Sequence, residues 1–509
     1  MTDATTLFRA LLIYGLCLPL AIFLGYLLAT PMDFTTFAVL GLVLLLLTVP
    51  ILLKWHHPLL LVCWNTTAVI PFLPGGPQMW LIMAGASLLI ALLQRALNRN
   101  VKFLFVPSVT WPLVFLAMVV LVTAKFTGGI GFGAIGGSSG GGKRYVLMLG
   151  AIIGYFALTT QRIPPQRAVL FVCLFFLGAL TSAIGNLAPL VGPEFYFLFY
   201  IFPVEKAGLQ AIGNEIVIAS ETAQFNGLIW ACLGIVCALL AVHGIRGLTD
   251  VRKSWRLLIF LGAIIGSLYG GFRTIVVILM LTFFFQFYLE RLYRTRLLPI
   301  TILIGILLAA VLLPVVDKLP HSVQRALSVL PIEVDPLVRY SAEVSSEWRI
   351  AIWKIIVPEI PQYLLLGKGY ALNAKEMEMM SDLEKAGRGT SMDVALLAGD
   401  YHSGPLTVII SFGIFGALAF IWFLAASLRV LYRNYRYGEP ALRNLNTLLL
   451  AYFAARVVFF FFVFGSFHTD LFLFTGIIGL SVSLNGGVAR LEVVSESETA
   501  SGQLELAKV

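Results

Sequence analysis

Apolar runs close to twenty residues long recur along most of this chain, separated by short polar connections. They fall near 7–29, 34–53, 57–73, 78–97, 103–124, 144–160, 167–190, 222–243, 254–270, 272–289, 297–316, 404–428, 444–464 and 468–487. Wound as a helix, a run of that length crosses a hydrocarbon core about 30 Å thick. None alternates apolar with polar residues as a barrel strand would, and lipid leaves the backbone no third way to satisfy its hydrogen bonds. The pattern predicts an all-α, polytopic membrane protein of about 12–14 transmembrane helices with one large helical extracytoplasmic loop. That loop is the single long polar interruption, Asp317 to His402. The expected organisation is an N-terminal bundle of about 11 spans over 1–316, the loop over 317–402, C-terminal spans over 403–487, and a polar tail from 488 to 509. The tail carries Glu492, Glu496 and Glu498 with few aromatics and is expected to be disordered and cytoplasmic.

Composition agrees: 59% of residues are hydrophobic and 12% charged, against about 25% charged in soluble proteins. The net charge of +9 asks for no nucleic acid, because the cations gather in alternate connections. Lys54, then Arg95, Arg99 and Lys102, then Arg162 and Arg167, and later Arg429, Arg433 and Arg436 all fall on one side. The positive-inside rule puts that side, and the N-terminus, in the cytoplasm of a cell inner membrane. The 317–402 loop, the 191–221 segment and the Gly-rich 128–142 run then lie outside. The Gly-rich run lacks the GxxxxGK[ST] spacing of a phosphate loop and reads as a flexible connector. The first run, Leu7 to Ala29, is too long for a signal-peptide core and is expected to stay as a span. All five cysteines fall in expected spans, which predicts no disulfide framework and no thiol chemistry.

An ionisable group inside a span costs several kcal/mol by most estimates and asks for a reason. Arg273, in YGGFRTIVVIL, and Arg456, in AYFAARVVFFFF, are two such groups. Each could snorkel to the interface, pair with a buried acid, or grip phosphate oxygens near the outer leaflet. Within the loop, Ser345–Ser346–Glu347 predicts a helix start, with the helix running to about Val357 and stopped by Pro358. Arg349 and Trp353 share one face of it. LGKGY at 366–370 predicts a glycine turn around Lys368. His402, after Asp400 and Tyr401, directly precedes the next span. No His, Asp or Glu cluster in the loop has ligand spacing, so neither a metal nor another cofactor is expected.

GGFRT (Arg273), WRIAIW (Arg349, Trp353), LGKGY (Gly367, Gly369), YHSGPL (His402) and FGIFGALAF (Gly413, Gly416) follow one another in this order. Over roughly residues 265–430 the chain thereby resembles the O-antigen ligase and O-antigen polymerase superfamily of bacterial envelopes. Ser403 stands where that family often has Asn after the His, and Gly270–Gly271–Phe272 where it often has Ser. The resemblance implies glycan transfer from an undecaprenyl-pyrophosphate-linked donor to a hydroxyl of a glycan or lipid acceptor, at the outer face of the bilayer. Arg273 and Arg349 would then hold the pyrophosphate, with Arg456 supporting either phosphate. His402 would take the acceptor's proton, and direct attack would invert the anomeric centre. Trp353, Lys368 and Tyr401 are the further substrate-binding candidates, and Asp400 an expected neighbour of the histidine. Two other readings stand beside this one: a lipid-linked oligosaccharide flippase, and a non-catalytic subunit of a polysaccharide export complex. A single large loop without an internal repeat weighs against the first, and the second would need no buried cationic pocket. Ligase and polymerase stay open as alternatives within the favoured class.

Overall fold

The structure, a computed structural model, describes residues 34–71, 73, 75–100, 102–128, 142–203, 225–372, 374–385 and 392–490, and before them only Gly15, Pro19, Ala21, Ile22 and Gly25. The expected span at 7–29, most of the Gly-rich run, much of the 191–221 segment and nearly all of the tail therefore lie outside the described residues. Every regular element among those described is helical, and one isolated antiparallel bridge joins Val69 to Gln78.

In chain order the helices are α1 Phe34–Cys63, α2 Met79–Leu97, α3 Pro107–Thr127, α4 Gly142–Leu158, α5 Pro165–Leu177, α6 Thr181–Val191, α7 Asn226–Leu248, α8 Trp255–Leu268 and α9 Arg273–Leu289. They continue with α10 Leu297–Leu312, α11 His321–Leu327, α12 Pro336–Ile356, α13 Ile360–Tyr363, α14 Ala374–Lys385, α15 Met392–Ala398, α16 Gly404–Tyr437, α17 Arg443–Phe462 and α18 Phe467–Asn485. Among the described residues eight helical stretches are long and apolar enough to cross a membrane, and three shorter apolar helices accompany them. The chain is an all-α, multi-pass membrane protein.

One pair of expected spans is redrawn. The 34–53 and 57–73 runs were separated by a turn at Lys54, yet α1 runs unbroken from Phe34 to Cys63 with Pro50 and Pro58 inside it. The connection offers no turn chemistry, and its histidines find partners within the fold. His56 Nδ1 lies 2.8 Å from Ser87 Oγ, and His57 Nε2 lies 2.8 Å from the Leu158 carbonyl. A helix carrying its own bonds there has no reason to open.

The centre of the bundle is α16, α17 and α18, with α4 packed on α18, α3 on α16 and α9 on α17. Lipid tails are as apolar as leucine, so close packing rather than water exclusion must join these helices. Phe420, Phe453, Phe460, Phe467 and Phe474 supply it as a run of edge-on aromatic pairs, all buried. Such pairs contribute about 0.5–1.5 kcal/mol each beyond their area. The α10 span has no comparable packing: only 6% of it is buried inside the chain.

Two local features set up the site. The first is a break in α16 at Gly413, whose φ is 64°. In an unbroken helix the Ile414 N–H would donate to the Ile410 carbonyl. Here Ile414 N–H donates to the Leu364 carbonyl at 2.7 Å, while the Ile410 carbonyl accepts from Lys368 N–H at 2.7 Å. Gly369 N–H adds a bond to the Ser411 carbonyl at 3.0 Å. The LGKGY segment is thus sewn by its backbone onto an opened turn of a span. Its glycines suit that approach, since a Cβ on Gly367 would come within 2.3 Å of the Ser411 carbonyl oxygen.

The second feature is α12. It starts at Pro336 rather than at Ser345, because Asp335 caps it by accepting from Leu337 N–H at 2.8 Å and Pro336 suits the first turn. Its end agrees with expectation: α12 stops at Ile356, before Pro358.

Candidate functional site

The first turn of α9, helix α11, helix α12 and the residue just before the α16 cap converge around one cavity of about 340 Å³. Its lining includes Arg273, Arg325, Arg349, Trp348, Ser346 and His402. Three guanidinium groups from three helices therefore share one space with one imidazole. Among the described residues none of the three arginines has a carboxylate within ion-pair distance.

Neutral groups hold two of the arginines instead. Arg273 donates to the Ala342 carbonyl and to Ser346 Oγ, each at 3.1 Å, which ties the start of α9 to the middle of α12. The Arg349 guanidinium lies over the Phe464 ring, 5.7 Å from its centroid. Burial first, and the charge of Arg273 second, push the Arg325 and Arg349 guanidiniums below their ordinary pKa. A cation also sits unfavourably at a helix N-terminus, where the backbone dipole is positive. Arg273 opens α9, and Gly271, Phe272 and Thr274 beside it also line the cavity. Every local term in this arrangement is relieved by an anion.

His402 is held as firmly. Its φ is 53°, one of two positive values outside glycine among the described residues, a conformation in which His is enriched but still uncommon. Trp353 Nε1 donates to the Tyr401 carbonyl at 2.9 Å, and the Tyr401 ring is buried with Ile352, Ile356 and Ile410. The imidazole stands edge-on to Trp348 at 4.9 Å and to Phe464 at 5.2 Å between centroids. Its Nδ1 faces Asp400, 3.3 Å from the main-chain oxygen and 3.5 Å from Oδ1. Burial pushes the Asp400 carboxyl up, but its contact with His402 and the charges of His402, Arg144 and His468 outweigh this and bring it below the usual carboxylate value.

The other candidates fall elsewhere. Trp353 and Tyr401 support the chain around His402 and do not line the cavity. Lys368 joins the backbone clasp on α16 and does not line it either. Arg456 takes the buried-acid alternative: it donates to Asp470 Oδ1 at 2.6 Å, both side chains being buried, and it does not line this cavity. Asp470 Oδ2 takes the Ser466 N–H at 2.9 Å, and the Arg456 guanidinium also contacts the Trp230 and Phe459 rings. The sequence reading missed Arg325, a lone arginine on the seven-residue α11 that no motif marks. Among the described residues no three His, Cys, Asp or Glu side chains gather as a metal site.

The family model for O-antigen ligase matches residues 257–421. That stretch runs from α8 into α16 and contains every residue lining the cavity except Val463. No curated protein matches the chain.

Proposed function

We propose that this chain, a member of the O-antigen ligase superfamily, moves a saccharide from undecaprenyl pyrophosphate to an acceptor hydroxyl at the outer face of the cytoplasmic membrane. Family membership makes it a multi-pass membrane enzyme of the glycan-transfer type. The observation that carries the finer reading is the meeting of Arg273, Arg325 and Arg349, without carboxylate partners, beside His402. In this reading the three guanidiniums and the first turn of α9 receive the donor's pyrophosphate. The acceptor oxygen attacks the anomeric carbon while the bond from that carbon to the pyrophosphate oxygen breaks. The acceptor proton passes to His402, and the carrier pyrophosphate leaves with its added negative charge.

Fixed guanidiniums stabilise that charge without reorganising, the kind of contribution that dominates many active sites. A positioned imidazole supplies about 10²–10⁴-fold more. One displacement inverts the anomeric centre, and no step calls for a metal. The polyprenyl tail would run along the outward apolar faces of α8 and α9, where Leu258, Ile265, Met280 and Phe284 are exposed. The basic residues at 95–102, 162–167, 246–256, 291–296 and 429–443 fall in alternate connections from α2 onward, which supports an outward-facing α11–α15 segment. Trp353 and Tyr401 are assigned to holding His402, and Arg456 to the fold. The acidic partner of Arg456 favours the export-subunit reading as far as that residue goes, but that reading leaves the arginine cavity without a task.

The test is transfer by purified protein in liposomes supplied with a lipid-linked saccharide and candidate acceptors. His402→Ala should lower kcat by about 10²–10⁴-fold, and Arg273→Ala and Arg349→Ala should lower transfer too, with the folded yield unchanged. Full activity in all three variants removes the proposed site. A carrier-linked ladder identifies a polymerase, and a glycan on a new acceptor identifies a ligase.

A further inference from the structure

We propose that Asp400 is a positioning residue that holds the proton of the neutral His402 ring on Nδ1 and so presents Nε2 to the cavity. The assignment rests on the reading of His402 as the base and names the group that makes it one. Both oxygens near Nδ1, the Asp400 carbonyl at 3.3 Å and Oδ1 at 3.5 Å, can only accept when the carboxyl is ionised. They attract Nδ1 only when it carries hydrogen. A neutral imidazole has one N–H, so the lone pair falls to Nε2, on the opposite edge of the ring.

The charges around the ring show why such a partner is needed. From the cavity side it meets Arg273 on α9, Arg325 on α11 and Arg349 on α12. Trp348 and Phe464 bring no charge. Three guanidiniums gather positive charge on that side of the ring. Behind the ring, Asp400 is the one carboxylate among the described residues within ion-pair distance. Asp400 is in turn faced by Arg144 of α4 and His468 of α18, and Arg144 is anchored by donating to the Ala398 carbonyl and by lying over the Tyr370 ring.

Asp400 Oδ1 is closed off from solvent and makes no hydrogen bond, although 31% of the side chain is exposed. Buried polar atoms without a partner are uncommon in native proteins. An ionised oxygen held ready behind the ring has a use when the ring becomes an imidazolium. The left-handed backbone at His402, a conformation costing of order 1–3 kcal/mol, is what brings Nδ1 back over the residue two positions earlier.

The test reads His402 itself, so it does not depend on transfer activity. Diethyl pyrocarbonate reacts with neutral imidazole, and its addition to His402 can be followed against pH by peptide mass spectrometry. Removing the carboxylate withdraws support from the imidazolium, so Asp400→Asn should move the midpoint down by about one pH unit or more. Asp400→Glu should restore part of the shift. Where transfer is measured, the acid limb of kcat should move the same way, with KM little changed. A midpoint that stays in place in a folded Asp400→Asn variant overturns the proposal. Should that variant not fold, ¹⁵N-histidine spectra of the wild-type protein, with His402 assigned by His402→Gln, decide. The neutral ring should carry its proton on Nδ1, and a proton on Nε2 overturns the proposal. Absence of transfer by the wild-type protein, with the expected midpoint shift in Asp400→Asn, would count against the glycan-transfer reading alone.

Discussion

Arg456 and Arg273 pose the same problem, a guanidinium on an apolar helix, and the fold answers it in opposite ways. Arg456 is buried inside the bundle, with Asp470 2.6 Å away and aromatic rings around it. Its charge is cancelled on the spot. Arg273 sits at the rim with two neutral acceptors, two further arginines and an open space of about 340 Å³. In the first the counter-charge is already present, although Arg456 Nε makes no hydrogen bond, and in the second no carboxylate of the described chain supplies one. A cation in an apolar setting is thus not in itself a binding site. What distinguishes the two is whether the counter-charge belongs to the chain or has to be brought to it.

The comparison can be broken at several points. The largest effect should come from splitting the closed pair. Arg456→Ala or Asp470→Ala leaves one buried charge alone and should cost about 3–5 kcal/mol, seen as loss of folded protein and a lower thermal midpoint in detergent. The double variant Arg456→Met/Asp470→Leu should recover most of that stability and keep transfer activity. At the open site the pattern should reverse. Arg325→Gln removes a charge-assisted contact worth about 1.5–3 kcal/mol and should lower kcat/KM by roughly ten- to a hundred-fold, with the midpoint of unfolding unchanged or raised. Gly413→Ala adds a Cβ to left-handed backbone at about 1–2 kcal/mol, and more because that Cβ would lie 2.6 Å from the Leu364 carbonyl oxygen, a backbone atom that must shift. A drop of a few degrees in thermal midpoint, with transfer reduced because LGKGY is displaced, would bear on the clasp rather than on either arginine.

How much could be seen beforehand differs from element to element. Arg273 stood out as a charge in an apolar run, Arg349 and His402 through the resemblance to the O-antigen ligase and polymerase superfamily, and all three line one cavity. Arg325 did not, since one arginine in the amphipathic HSVQRAL carries no spacing that distinguishes it from a solvated residue. The partner of Arg456 was hidden by direction: no acid lies in the ten residues before it, and Asp470 comes after it, at the start of the next helix. Ser345–Ser346–Glu347 imitates a helix start in the middle of α12, where the Ser346 hydroxyl instead accepts from Arg273. The true start, Asp335–Pro336, carries a capping Asp and a first-turn Pro that the sequence reading did not take up. At Lys54 a charge between two apolar runs was read as a connection, and the helix instead continues through it.

The most direct measurement is binding of undecaprenyl pyrophosphate to purified protein, compared between Arg273→Gln/Arg349→Gln and Arg456→Met/Asp470→Leu. With two of three guanidiniums gone, affinity should fall by roughly a hundred-fold or more, and exchange of the closed pair should leave it near the wild-type value. Equal affinity in the cavity variant and the wild type, or loss confined to the Arg456→Met/Asp470→Leu protein, would contradict the assignment of the arginine cavity to the donor.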